Sequence, residues 1–298
     1  MRWGHVFRLG TCLHVTGEDA LSFLQGQFTQ ELKSSFKAPV AYGLWLNQKG
    51  KVLADSFVLK EADDDIWVIS FSAHAEVIRK RLENYIIADD VVIDDQTSQW
   101  GGLVVGGIDA AVWLVEQTAG RLPESDRFIR TADGFLFRGR RGAGESWEWI
   151  LPKATAIPGG LATVSAEVIE RLRITAGIPA VPIDIGAGDL PNEGGLEVDA
   201  ISYTKGCYLG QEMMARLKSM GQLRRRLVRV RAMAAPPPSV PCALLQGETR
   251  VGELRSAVAD GAGGFIGLAL VMVLRLDPSV TLATKPGGPG VIHIIDTL

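Results

Sequence analysis

Leu13 and Val15 alternate with polar neighbours and predict a strand, after which Thr16-Gly17-Glu18-Asp19 opens a helix with Thr16 as its N-cap. Leu21, Leu24 and Phe28 fall on one face of that helix, which Gly26 weakens or ends. An antiparallel pattern follows. Residues 42–46 and 52–59 read as strands joined by the turn Asn47-Gln48-Lys49-Gly50, and a second turn over 61–65 leads into a strand at 66–71. Val77, Ile78, Leu82 and Tyr85 are spaced as a helix, 91–93 and 103–105 as strands, and 110–115 as another helix. This order places helices on one face of a mostly antiparallel sheet, an α+β arrangement.

A strand is expected at 147–151, then a helix capped by Ser165 with Val168, Ile169 and Leu172 inward, closing at Gly177 before Pro179. The stretch 179–195, rich in proline and glycine, reads as irregular, and loops of that length in compact domains carry function or stay disordered. Beyond Leu223 the texture changes. Residues 227–231 alternate apolar and basic, Pro236-Pro237-Pro238 interrupts, and short strands are expected at 251–254, 265–271, 280–282 and 291–295. Turn residues such as Asp260-Gly261 separate them, the pattern of a small barrel or sandwich, and a domain boundary is placed near residue 222.

Composition narrows the class. The chain has 298 residues, 47% hydrophobic and 22% charged, with a net charge of -3, which argues against a general polyanion binder. Cys12, Cys207 and Cys242 form no CxxC pair and cannot all be paired, so a reducing cytoplasm is the expected home. His5, His14, His74 and His293 lack ligand spacing, and no metal site is expected. No signal peptide is read at the N-terminus, and the longest apolar runs fall far short of the roughly 20 residues that span a bilayer.

The densest chemistry lies in Lys205-Gly206-Cys207-Tyr208-Leu209-Gly210-Gln211-Glu212. Cations at Lys205 and Arg216, with glycines that let amides approach, are settings that activate a thiol. The competing reading is a buried cysteine acting as a small hydrophobe, and chemistry alone leaves the two even. In Pro191-Asn192-Glu193-Gly194-Gly195-Leu196-Glu197, two carboxylates could each accept paired N–H bonds from an amino-pyrimidine edge. Taken alone this loop reads as solvated and acidic. Arg229 and Arg231 read as the solvent face of a strand, while Arg224-Arg225-Arg226 stays open as an anion contact. Asp55 beside the Lys49-Gly50-Lys51 turn is a weaker candidate, and no GxGxxG or Walker-type loop occurs.

The octapeptide, followed by Ala215-Arg216 and Gly221, resembles the hallmark of the folate-binding YgfZ family, related to the aminomethyltransferase (T-protein) of the glycine cleavage system. Val15 to Ala20 with Phe23 to Gln27, Asn47 to Val52, Arg173-Ile174 with Ala176 to Pro179, and 252–257 with 267–271 resemble other parts of it, so the likeness spans nearly the whole chain. The resemblance implies a three-lobed T-protein-like arrangement around a central channel that takes tetrahydrofolate, with residues 1–221 forming two lobes and 222–298 a C-terminal β-barrel. It implies a role in iron–sulfur cluster assembly or repair and, through cluster enzymes, in tRNA modification. Cys207 is then the reactive thiol, tuned by Lys205 and Arg216, with Gly206, Tyr208, Gly210, Gln211 and Glu212 positioning the loop. Two departures bear on folate. Where T-proteins carry paired acidic residues this chain has Ala54-Asp55, and where they carry a pterin-holding glutamate it has Thr175, leaving Glu193 or Glu197 as substitutes. The expected protein is a cytoplasmic accessory factor whose partners are a folate and iron–sulfur proteins or their assembly factors, not membranes or nucleic acid. The alternative is a tetrahydrofolate-dependent aminomethyl or methyl transferase, against which Ala54 and Thr175 count.

Overall fold

The computed structural model describes residues 1–33, 39–220 and 223–296. Gly221 of the motif and the boundary near residue 222 therefore lie outside the described residues. In chain order the elements are β1 (Arg2–Arg8), β2 (Thr11–Thr16), α1 (Ala20–Gln27), β3 (Val40–Leu46), β4 (Val52–Ala62), β5 (Asp65–Ser70), α2 (Ala75–Glu83) and β6 (Val92–Asp95). There follow β7 (Trp100–Gly107), α3 (Ala110–Gln117), β8 (Phe128–Arg130), β9 (Phe135–Arg138), β10 (Ser146–Pro152), β11 (Ala162–Thr163) and α4 (Ala166–Thr175). After a 3-10 turn at Pro191–Gly194 come α5 (Gln211–Met220), β12 (Arg225–Ala232), β13 (Cys242–Gln246), β14 (Thr249–Ala259), β15 (Phe265–Met272) and β16 (Ile292–Ile294).

The strands build three sheets, ordered β3-β4-β5-β2-β6, β11-β1-β7-β10-β9-β8 and β13-β14-β15-β12-β16. Pairing is antiparallel except for β1 with β11. Because side chains alternate along a strand, the first sheet serves two cores. Leu13, Val15, Val58 and Val68 face α1 and α2, where Leu24, Ile78 and Leu82 are buried. Cys12, Phe57, Leu59, Trp67 and Ile69 point the other way, onto Trp100, Phe135 and Phe137 of the second sheet. Offset and edge contacts such as Trp67–Trp100 at 5.3 Å and Phe57–Phe137 at 4.9 Å join the two sheets face to face. With both faces covered, Ile66 to Ser70 are buried without alternation.

A third core is made mostly by loops. Leu44, Leu46 and Val52 from the β3–β4 hairpin meet Val181, Ile185, Leu196, Ile201, Tyr208 and Met214, and Leu270 of the last sheet closes it. Helix α4 buries Ile174 against Val258 and Leu268 of that last sheet. The two edges of the last sheet are each bridged to one short segment, by Leu245 with Ala283 and Leu282 with Ile292.

Several expectations change. Thr16 is not an N-cap: it ends β2, paired with Asp65 and Val92, and the helix begins at Ala20 after Asp19. Gly17 makes the turn at φ +119, where a Cβ would lie 2.1 Å from the Asp90 carbonyl oxygen. The strand expected at 280–282 reduces to single bridges. Strands β1, β8, β9, β11 and β13 were not foreseen, nor was α5, whose Met213, Met214 and Leu217 recur at helical spacing but follow directly on the polar motif. The irregular reading of 179–195 stands, apart from its one 3-10 turn.

Candidate functional site

Cys207 is exposed, which removes the buried-hydrophobe reading. It lines an open groove of about 420 Å³ with Gly26, Gln27, Gln48, Gln211 and Glu212. The loop that carries it is docked on the C-terminal end of α1. Leu209 donates its backbone N–H to the Gly26 carbonyl at 3.1 Å, and Gly210, at φ +90, brings the chain so close that a Cβ would lie 3.1 Å from the Asn47 oxygen. Helix ends leave carbonyls without partners, and a cationic side chain can satisfy them. Lys205 does this. Its buried ammonium donates to the carbonyls of Gln25 (2.7 Å), Phe28 (2.7 Å) and Gln30 (3.0 Å), and burial lowers its pKa to about 8.

The roles assigned to the flanking residues shift accordingly. Lys205 is engaged by carbonyls rather than by the thiol, and Arg216 pairs with Glu212 one turn away at 2.5 Å. Both were expected to tune Cys207; the geometry makes Lys205 an anchor and Arg216 half of a surface ion pair. Tyr208 turns inward, its ring 5.3 Å from the Lys205 ammonium. Its buried hydroxyl has no partner among the described residues, and burial pushes it up to about 12. Arg81 fixes Gln27 by donating to its side-chain oxygen at 2.6 Å and its backbone oxygen at 3.1 Å.

A second constellation surrounds Asp55. Its carboxylate accepts the Tyr42 hydroxyl at 2.9 Å and Ser70 Oγ at 3.3 Å. Burial raises its pKa, against the pull of Tyr42, Arg140 and Ser70, and burial together with Asp55 raises Tyr42. The cavity beside Asp55 is about 50 Å³ and is lined by three arginines. Arg140 lies 4.1 Å over the Tyr42 ring and donates to Asp199 at 2.7 Å. Arg141 is held by the fully buried Glu148 at 2.8 Å and lies between Phe7 and Phe71 at 4.4 and 3.9 Å. Arg173 donates to Asp184 at 2.6 Å and to Ser256 of β14 at 3.1 Å. None of the three had been singled out as a site residue. Arg140 and Arg141 follow a short strand in a glycine-broken basic run, and only tertiary packing brings them to Asp55.

The two departures from the T-protein pattern take on different meanings. Ala54 is fully buried in the core beneath α1 and α2, so it faces away from the cavity that Asp55 lines. A carboxylate there would enter an apolar cluster, and its loss takes nothing from the Asp55 site. Thr175 is exposed, outside the cavity lining, and its backbone oxygen accepts from Arg229 at 2.8 Å. Glu193 is engaged within the protein. Both of its oxygens are taken, by Arg225 at 2.9 and 2.7 Å and by the Leu190 N–H at 2.7 Å. That pairing also removes Arg225 from any anion-binding set. Glu197 keeps one buried oxygen without a partner among the described residues, and burial raises its pKa. Among the described residues no group of three or more His, Cys, Asp or Glu side chains is disposed for a metal ion, and no helix is long and apolar enough to cross a membrane.

These features, a T-protein-like frame of mostly antiparallel sheets with a carboxylate cavity and an exposed thiol groove, define a class. The GCVT N-terminal domain model matches residues 9–130. The fold is similar to the glycine cleavage system aminomethyltransferase T from Bartonella henselae, with a TM-score of 0.83 and 18% identity over 99% of this chain and 86% of that one. Among curated relatives, the tRNA-modifying protein YgfZ of Colwellia psychrerythraea is 29% identical, over 72% of this chain and 67% of its own. Iron-sulfur cluster assembly factor IBA57, mitochondrial, of Homo sapiens is also 29% identical, over 94% and 81%. An aminomethyltransferase of Exiguobacterium sibiricum is 26% identical, over 72% and 63%. The chain is thus similar in sequence to YgfZ and IBA57 proteins and in fold to a glycine cleavage aminomethyltransferase.

Proposed function

We propose that this chain is a folate-binding accessory factor that supports iron–sulfur cluster assembly or repair, and through it tRNA modification. The observation that carries the reading is the docked motif: an exposed Cys207 on a loop anchored to α1 by Lys205 and Leu209. A thiol offered from a fixed loop can act as a nucleophile or as a ligand to a client's metal, once deprotonated. The partners in this reading are iron–sulfur proteins or their assembly factors, the compartment is the cytoplasm, and Gly206, Gln211 and Glu212 shape the loop's surface.

Tetrahydrofolate is the ligand in this reading, and the donor set around Asp55 suits it. A buried carboxylate accepts N–H bonds from an aminopyrimidine ring, and nearby guanidiniums complement ring carbonyls. When bound, the folate would supply one-carbon chemistry. The chain's own part is to orient the ring through Asp55 and exclude water. Residues 1–221 would form two lobes about this channel and 222–298 a C-terminal barrel, supported by the bridges that tie both edges of the last sheet to the 282–283 segment.

The test is deletion of the gene followed by complementation, reading the activity of a [4Fe–4S] enzyme. Wild type should restore it and Cys207→Ala should not; full rescue by Cys207→Ala removes the thiol from the mechanism. The second reading, a tetrahydrofolate-dependent aminomethyl or methyl transferase, is favoured by one observation: Asp55 keeps its place in the cavity while Ala54 faces elsewhere. Turnover of an N-methyl amine by purified protein with tetrahydrofolate would establish it.

A further inference from the structure

The cavity that holds Asp55 is too small for the ligand its chemistry suits. At about 50 Å³ it has room for a few waters, whereas small-molecule pockets start at roughly 300 Å³. A groove of about 440 Å³, whose walls include Val40, Val58, Asp126 and Asp199, shares Tyr42 with this cavity. Tyr42 belongs to the walls of both. Its ring is held from three sides: the hydroxyl on Asp55, the Arg140 guanidinium stacked at 4.1 Å, and Phe57 at 5.1 Å. Arg140 is in turn tied at 2.7 Å to Asp199, a half-exposed groove residue.

We infer that cavity and groove are two parts of one ligand site, divided by Tyr42 and Arg140 as a movable partition that the Arg140–Asp199 pair latches. The inference rests on the folate reading and names how that ligand enters. A flat polar ring would reach Asp55 while the rest of the molecule lies in the groove. The exchange at Asp55 is balanced in hydrogen bonds. As the Tyr42 hydroxyl swings away, a ring N–H of the ligand takes its place on the carboxylate, so no buried acceptor is left unpaired. Arg140 has a matching vacancy, for its buried Nη1 has no partner among the described residues and can donate to a ring carbonyl.

The latch is a partly exposed ion pair, and pairs of that kind shift an equilibrium by about two- to fivefold. Asp199→Asn weakens it without changing volume. Stopped-flow binding of 5-formyltetrahydrofolate to the full chain should show an association rate about two- to fivefold faster in Asp199→Asn, with a proportionately lower apparent Kd. Glu76→Gln, which breaks an exposed ion pair with Lys80 on α2 outside both parts of the site, should match wild type. Binding at equal rates in all three proteins overturns the partition while leaving the folate reading intact. Absence of binding in all three overturns the folate reading, and the partition is then judged without ligand by amide hydrogen exchange across residues 54–58 and 178–181. Faster exchange in Asp199→Asn supports a latched partition, and unchanged exchange refutes it.

Discussion

Replacing Lys205 with methionine separates an anchoring lysine from one that tunes a thiol. Methionine keeps the length of the apolar stem but removes the donor to the carbonyls of Gln25, Phe28 and Gln30. Two of these hydrogen bonds are buried and one is partly so, and an unsatisfied buried acceptor costs about 1–3 kcal/mol. Relief of the ammonium's own desolvation, visible in its pKa of about 8, offsets part of that loss. The expected net destabilisation is roughly 2–4 kcal/mol, measured by urea unfolding. Because the same contacts hold the loop on α1, the reaction of Cys207 with a disulfide reagent at pH 7 should accelerate. Lys205→Arg should not restore wild-type behaviour, since a planar guanidinium does not fit among three converging carbonyls. If Lys205→Met is as stable as wild type while its thiol reacts more slowly, and Lys205→Arg restores the rate, the lysine acts on the thiol and the anchoring argument is wrong.

Arg173→Met should destabilise by about 3–5 kcal/mol in chemical denaturation, because fully buried Asp184 loses its guanidinium partner while α4 loses its tie to Ser256. Asp55 gives a pH signature. Burial raises its folded pKa above the unfolded value, so its contribution to stability is fully present below about 3.9 and is lost as pH rises through the folded value. Asp55→Asn lacks that titration, so its stability relative to wild type should climb with pH across that window and then level; parallel unfolding curves from pH 4 to 8 would contradict the burial argument. Thr175→Glu should leave calorimetric folate affinity unchanged, because residue 175 is exposed and outside the cavity lining.

Much of the frame was legible along the chain because it depends on short-range pattern. The β3–β4 hairpin around Asn47 to Gly50, helices α2 and α4, and the change of texture before β12 all follow from periodicity and turn residues, which act within a few positions. Strands β8 and β9 were missed because they are short and become strands through the aromatic core they share with Trp67 and Trp100. Helix α5 was hidden because the motif just before it reads as loop chemistry, and its Met214 is buried in a core built by the β3–β4 hairpin, the loops after α4 and Leu270.

The sequence by itself determined that a thiol motif exists, since eight adjacent residues keep their identity whatever surrounds them. Only the tertiary structure decided what those residues do. Lys205 lies 180 positions from Gln25, yet its ammonium closes the end of α1. Arg140 and Arg173 reach the cavity of Asp55 from different elements, and the alternation of β4 sends Ala54 into one core and Asp55 into the cavity. A side chain's electrostatic role is set by the groups within a few ångströms of its charged end, and across such separations in sequence the fold alone chooses those neighbours.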